Sequence, residues 1–198
     1  MLGIDPSIVV HEIKTYPTAK PVRKKLRQVH PRKAAAIKAE IEKILKARFI
    51  YPITLTEWVS NVVLVNKKQG TIRVYIDFID LNKACPKYNF PTLHIDQIID
   101  NYAGSVIFSF MDGFSGYNKI EILPTDQHKT TFIFPWGTFA YRKLPFVLKN
   151  AGATFQRAMS YAFHDIKHIV EPYLDDLPAH SQRQEYHPSH LRDIFLRY

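Results

Sequence analysis

Two adjacent carboxylates, Asp175 and Asp176, stand between apolar neighbours in Tyr173-Leu174-Asp175-Asp176-Leu177. That pattern constrains the chain more than any other, because a short β run over residues 168–173 must reverse at the charged pair before Leu177 resumes the sheet. An Asp-Asp pair at a hairpin tip is also common in solvated turns, where it carries no function. A second carboxylate tips the balance: Asp112 follows another apolar β-like run, residues 106–111. Two strand ends offering three carboxylates suit divalent magnesium, which prefers carboxylate oxygens and keeps coordination positions open for phosphates.

The rest of the chain is read around that core. Pro31 suits a first helical turn, and Ile37, Ile41, Ile44 and Leu45 then repeat at helical spacing, giving an amphipathic scaffold helix. Valine-rich residues 58–65 and residues 72–78 read as two strands joined by the loop Asn66-Lys67-Lys68-Gln69-Gly70. Lys67, Lys68 and Arg73 therefore gather near the tip of a β-ribbon, where cations either solubilise or clamp a triphosphate. Residues 81–90 read as loop, and residues 93–102 as a short helix ending at Gly104. In Gly113-Phe114-Ser115-Gly116-Tyr117 two glycines are expected to let the backbone approach a ligand. Residues 130–134 pair with 138–141 across Pro135-Trp136-Gly137, residues 151–166 form a helix packed through Phe155, Met159, Ala162 and Phe163, and residues 189–196 form a last helix.

Composition adds bounds. With 198 residues, 46% hydrophobic, the chain is long enough to bury a sizeable core. A formal charge of +9 and a pI near 9.5 point to a polyanionic partner, nucleic acid before a membrane surface. Residues 1–30 hold a β-like run over 8–13, then Lys20, Arg23, Lys24, Lys25 and Arg27 around Pro17 and Pro21, and read as a basic arm, either solvated or lying along a phosphate backbone. One cysteine, Cys85, excludes an internal disulfide and has no neighbour at metal-binding spacing. No stretch approaches the roughly 20 apolar residues of a membrane span, so no membrane partner is expected and the location is expected to be intracellular, cytoplasmic or nuclear.

Four segments in order carry a resemblance: LNKACPK (81–87), FSFMDGFSGYNKI (108–120), LKNAGATFQRAM (148–159) and YLDDL (173–177). From about Val10 to its end the chain closely resembles the reverse transcriptase domain of gypsy-type long-terminal-repeat retrotransposons, in a form like the plant copies. The resemblance implies an α+β fold: fingers and palm of a right-hand polymerase, an antiparallel palm sheet packed on helices with a β-ribbon fingers subdomain, and thumb and RNase H parts absent. It places a basic N-terminal arm at 1–30 and the fingers/palm domain at 31–198, with fingers at about 31–90 and 124–145 and palm at about 91–123 and 146–198. It implies an RNA-directed DNA polymerase that joins deoxynucleoside triphosphates to a primer 3′-hydroxyl on an RNA or DNA template. Asp112, Asp175 and Asp176 are then the ligands of two Mg²⁺ ions, for which Mn²⁺ substitutes. Lys67, Lys68 and Arg73 match the residues contacting the triphosphate. Gly113, Tyr117 and Phe146 match the nucleotide pocket, Tyr117 being the aromatic that blocks a ribose 2′-hydroxyl. Tyr173, Val147 and Gln156 fall on the primer and template side.

Several positions depart from the family pattern. Val147 and Arg48 stand where glycine is usual, Ile79 where arginine is usual, and Lys119 where glutamine is usual. Gly152 replaces a common proline, and Pro178 follows the acidic hairpin where a strand residue is expected. A positive φ at Val147, strain of ~1 kcal/mol at Arg48 and a lost buried ion pair at Ile79 would mark a decaying copy. The alternative function is accordingly a catalytically inactive retroelement remnant that only binds nucleic acid.

Overall fold

The computed structural model describes residues 3–66, 72–90, 95–112, 116–173 and 176–197, without the side chains of Arg32, Asn66, Ile72, Arg73, Ile95 and Asp112. One half of the molecule is a five-stranded sheet in the order β2-β8-β7-β3-β4, built from β2 (Ile50–Pro52), β3 (Ser60–Asn66), β4 (Ile72–Ile76), β7 (Phe132–Phe134) and β8 (Gly137–Tyr141). β3 and β4 form the expected antiparallel ribbon, in register from Val62 opposite Ile76 to Asn66 opposite Ile72. β3 also runs parallel to β7, and β7 turns into β8 with Phe132 opposite Phe139 and Phe134 opposite Gly137. Gly137 has φ 149, a backbone angle that favours glycine at the end of the turn. β2 closes one edge against β8, which is where Pro52 is tolerated.

The helix α1 (Pro31–Lys46) lies against this sheet and buries Ile37 and Ile41. It stops through a left-handed residue: Arg48, at φ 60, is the only non-glycine with positive φ among the described residues. The amide of Phe49 donates to Ile44 O (3.0 Å) and that of Arg48 to Leu45 O (2.9 Å), the paired bonds of a Schellman cap. Arginine therefore occupies a position built for glycine, as the sequence suggested. Val147 does not, since its φ is not positive.

The second half holds β5 (Ile107–Asp112) paired antiparallel with β9 (Asp176–Ser181), backed by α4 (Ala151–Ala162) and α5 (His187–Arg197). A short parallel pair, β1 (Val10–His11) with β6 (Glu121–Ile122), lies beside α4. One apolar core joins the halves, running from Ile37, Ile50 and Phe132 through Phe78 and Leu81 to Phe155, Phe163 and Ile194.

Four expectations are corrected. Residues 1–30 do not form a separate arm: Val9 and Ile13 are 2% and 3% exposed in the core, and Arg23 bridges to Val59. Residues 81–90 are not all loop, because α2 (Ile79–Ala84) forms where Asp77 Oδ1 accepts the Ile79 amide (3.2 Å) and Leu81 anchors in the core. The first arm of the acidic hairpin is not a strand and touches β9 only through isolated bridges, Val170 to Ala179 and Tyr173 to Asp176. Pro172, which has no amide to donate, interrupts it. Ile79 is 58% exposed, so an arginine there would make a surface contact, not a buried ion pair. Pro178 is accommodated inside β9 opposite Phe110.

Candidate active site

Along β5, Phe108 and Phe110 lie on one face and are exposed there, and Val106 just before the strand is exposed too. The register then sets Asp112 directly opposite Asp176, at the common end of β5 and β9. Opposed residues in an antiparallel pair have Cα atoms about 4.5–5.5 Å apart, so the backbones of two acidic residues distant in sequence meet at one strand end. Asp176 is exposed to solvent. Like charges opposed on adjacent strands are destabilising unless a cation sits between them. Carboxylate oxygen is the donor type that suits Mg²⁺.

Asp176 also closes the hairpin. The Tyr173 amide donates to Asp176 O (2.9 Å) and the Asp176 amide donates to Tyr173 O (3.0 Å). Asp175 itself lies outside the described residues, as do Lys67, Lys68 and Gly113. Arg73 is placed by its backbone alone, opposite Val65 on the ribbon.

The helix α4 supports this site from beneath. Gln156, 2% exposed, donates from Nε2 to Pro172 O (2.8 Å) and so pins the hairpin next to Tyr173. Its neighbour Phe155 stacks under the Tyr117 ring, with centroids 4.8 Å apart and planes 26° apart. Gly116 is required by that same ring: a Cβ there would lie 2.6 Å from Phe155 Cζ. The close approach at Gly116 is thus to a core aromatic, not to a ligand. Gln156 is buried and reaches the hairpin through that bond.

Phe146 and Val147 sit on the other side, towards the ribbon. Phe146 is 59% exposed and meets Tyr75 of β4 edge-on at 5.9 Å. Val147 is half-buried, and its carbonyl accepts from Asn82 Nδ2 (2.9 Å), while Asn82 Oδ1 accepts the Lys149 amide (2.8 Å). Asn82 therefore fixes the loop that carries Phe146 from two directions. Sequence reasoning assigned it no role, because it lay in a stretch read as loop; LNKACPK was the only signal.

Residues 65–197 match the reverse transcriptase (RNA-dependent DNA polymerase) family. Over 169 residues, 84% of the chain, it is 32% identical to the Transposon Tf2-3 polyprotein of Schizosaccharomyces pombe (strain 972 / ATCC 24843), and the Tf2-7 polyprotein of that yeast matches equally. The chain spans 12% of the length of these polyproteins. Its fold superposes on the crystal structure of the prototype foamy virus protease-reverse transcriptase with TM-score 0.83 at 22% identity, covering 95% of this chain and 25% of that one. The foamy viral protease-reverse transcriptase dRH in complex with ds DNA gives TM-score 0.84 at 20% identity, covering 99% and 34%. The same enzyme in complex with RNA/DNA hybrid gives 0.81 at 20% identity, covering 91% and 24%.

Proposed function

The chain belongs to the reverse transcriptase family, and on that premise we propose that it is the fingers-and-palm part of a retrotransposon polyprotein, of the gypsy type in a plant-like form, that extends a primer on an RNA or DNA template from deoxynucleoside triphosphates. The observation that carries this reading is the register of β5 on β9, which sets Asp112 opposite Asp176. The five-stranded sheet falls within residues 31–90 and 124–145, the proposed fingers, and β5, β9, α4 and α5 fall within the proposed palm.

Asp112, Asp175 and Asp176 would hold Mg²⁺, or Mn²⁺ in its place. Bound there, the ions would supply charge that lowers the pKa of the primer 3′-hydroxyl and neutralises the triphosphate and the departing pyrophosphate. The protein's own part is positional. Tyr117, stiffened by the Phe155 ring, presents a fixed wall against a ribose 2′-hydroxyl. Gly113 gives the incoming nucleotide room beside Asp112, and Phe146 faces its sugar and base from the loop that Asn82 anchors. Lys67, Lys68 and Arg73 meet the triphosphate from the ribbon. Tyr173, held by its paired bonds with Asp176, borders the primer end, and Val147 borders the template. The foamy viral relatives bind ds DNA and RNA/DNA hybrid, which supports a duplex of template and primer as the partner here.

Primer extension on oligo(dT)-primed poly(rA) with Mg²⁺ or Mn²⁺ tests the reading. Extension by the chain that disappears in Asp175→Asn is the expected result. Duplex binding without extension in either protein would replace the enzyme with a remnant that only binds.

A further inference from the structure

A second polar cavity, of about 680 Å³, opens at the opposite end of β9. His180 in its wall is four residues along the strand from Asp176, about 13 Å away at the usual rise. The size suits a small ligand. Three histidines line it, His168, His180 and His190, together with Lys167 and Arg183, and Glu171 is the only carboxylate among the lining residues.

His180 is 6% exposed, yet its Nε2 has no hydrogen-bond partner. A buried polar atom left unpaired is costly, and the residue that carries this one is among those lining the cavity. Its Nδ1 is engaged by Ser105 Oγ (2.9 Å), and the ring lies 4.8 Å from that of Tyr102, whose buried hydroxyl also lacks a partner. His190 is built alike. Its Nδ1 meets Ser181 Oγ (2.8 Å), which also meets His187 Nδ1 (2.8 Å), and His187 Nε2 meets Ser109 Oγ (2.8 Å). In both rings a serine occupies Nδ1.

We propose that this cavity binds a compact phosphate anion: inorganic phosphate, pyrophosphate or the terminal phosphate of a nucleotide. Lys167 and Arg183 supply charge from two chain segments at the rim, and the imidazoles of His180 and His190 supply donors within. Burial pushes the Glu171 carboxyl above its ordinary range, and the Lys167 ammonium opposes that shift. A metal is the other guest histidines invite, but the described residues contain no group of three or more His, Cys, Asp or Glu arranged to hold one.

The test follows the histidine imidazole resonances of the full chain by long-range ¹H–¹⁵N correlation, in EDTA. Inorganic phosphate, pyrophosphate and a short thymidine oligonucleotide carrying only phosphodiesters are titrated separately. Saturable shifts of His180 and His190 with phosphate or pyrophosphate are expected, and the tighter of the two identifies the source. Lys167→Gln with Arg183→Gln, both exposed positions, weakens that binding by about tenfold or more, and His180→Phe removes the His190 response. The proposal is overturned if neither anion produces saturable shifts or if the double variant binds like the parent. It is equally overturned if the oligonucleotide competes at the same resonances, or if only added Zn²⁺ moves them. The readout needs neither template nor magnesium, so its outcome is separate from that of primer extension.

Discussion

Arg48 and Gly116 show how single positions bear on this fold. A left-handed conformation costs a non-glycine residue roughly 1–2 kcal/mol, against about 0.5–1 kcal/mol of extra backbone entropy lost by glycine. Arg48→Gly should therefore raise stability by about 0.5–1 kcal/mol, read as a higher urea midpoint with unchanged slope. Gly116→Ala should do the reverse. The new methyl would meet the Phe155 ring at 2.6 Å, and overpacking of this kind costs about 1–3 kcal/mol. It should also move Tyr117, so the variant's discrimination between dTTP and UTP should fall together with its midpoint. The two positions differ in how far the sequence exposed them. Arg48 ends an amphipathic period, where a local rule asks for glycine, whereas the reason for Gly116 is a ring supplied by a distant helix.

Among the elements, those with a clear period were legible: α1 and α4 by their apolar stripes, β7 and β8 by a turn with glycine at its end. The misses have local polar causes. α2 depends on an Asp77 carboxylate reaching the Ile79 amide, and the broken arm before Asp176 depends on Pro172. Composition likewise hid the packing of β1, because the prolines and cations after it dominate the segment. Within β1, His11 is 3% exposed and its Nδ1 meets Thr154 Oγ1 of α4 (2.9 Å). Burial lowers its pKa to about 4, Arg157 lowering it further and Asp126 opposing. Between the unfolded value near 6.5 and about 4, the unfolded chain binds the extra proton, so stability rises with pH across that window. On acidification from pH 7 the chain should lose up to about 1.4 kcal/mol per pH unit below 6.5, about 3 kcal/mol in all. His11→Asn should flatten that slope in urea titrations at pH 7, 6 and 5.

On the scale of the whole molecule, one core ties the ribbon sheet to the strands that carry the acids, so ribbon and acids share a common base. That joint core is what a charge of +9 and separate apolar runs leave unspecified, since neither states which strands pair. The meeting of Asp112 with Asp176 was legible only because the four segments resemble a known family in order; periodicity alone gave two strand ends and no register. No helix among the described residues is long and apolar enough to cross a membrane.

The central claim is that carboxylates from β5 and from the hairpin before β9 form one metal site. Free Mn²⁺ measured by electron paramagnetic resonance during titration of the chain tests it most directly. Asp112→Asn and Asp175→Asn should each weaken Mn²⁺ binding by about tenfold or more, although the two residues are far apart in sequence. Binding equal to that of the parent chain in either variant would contradict the account.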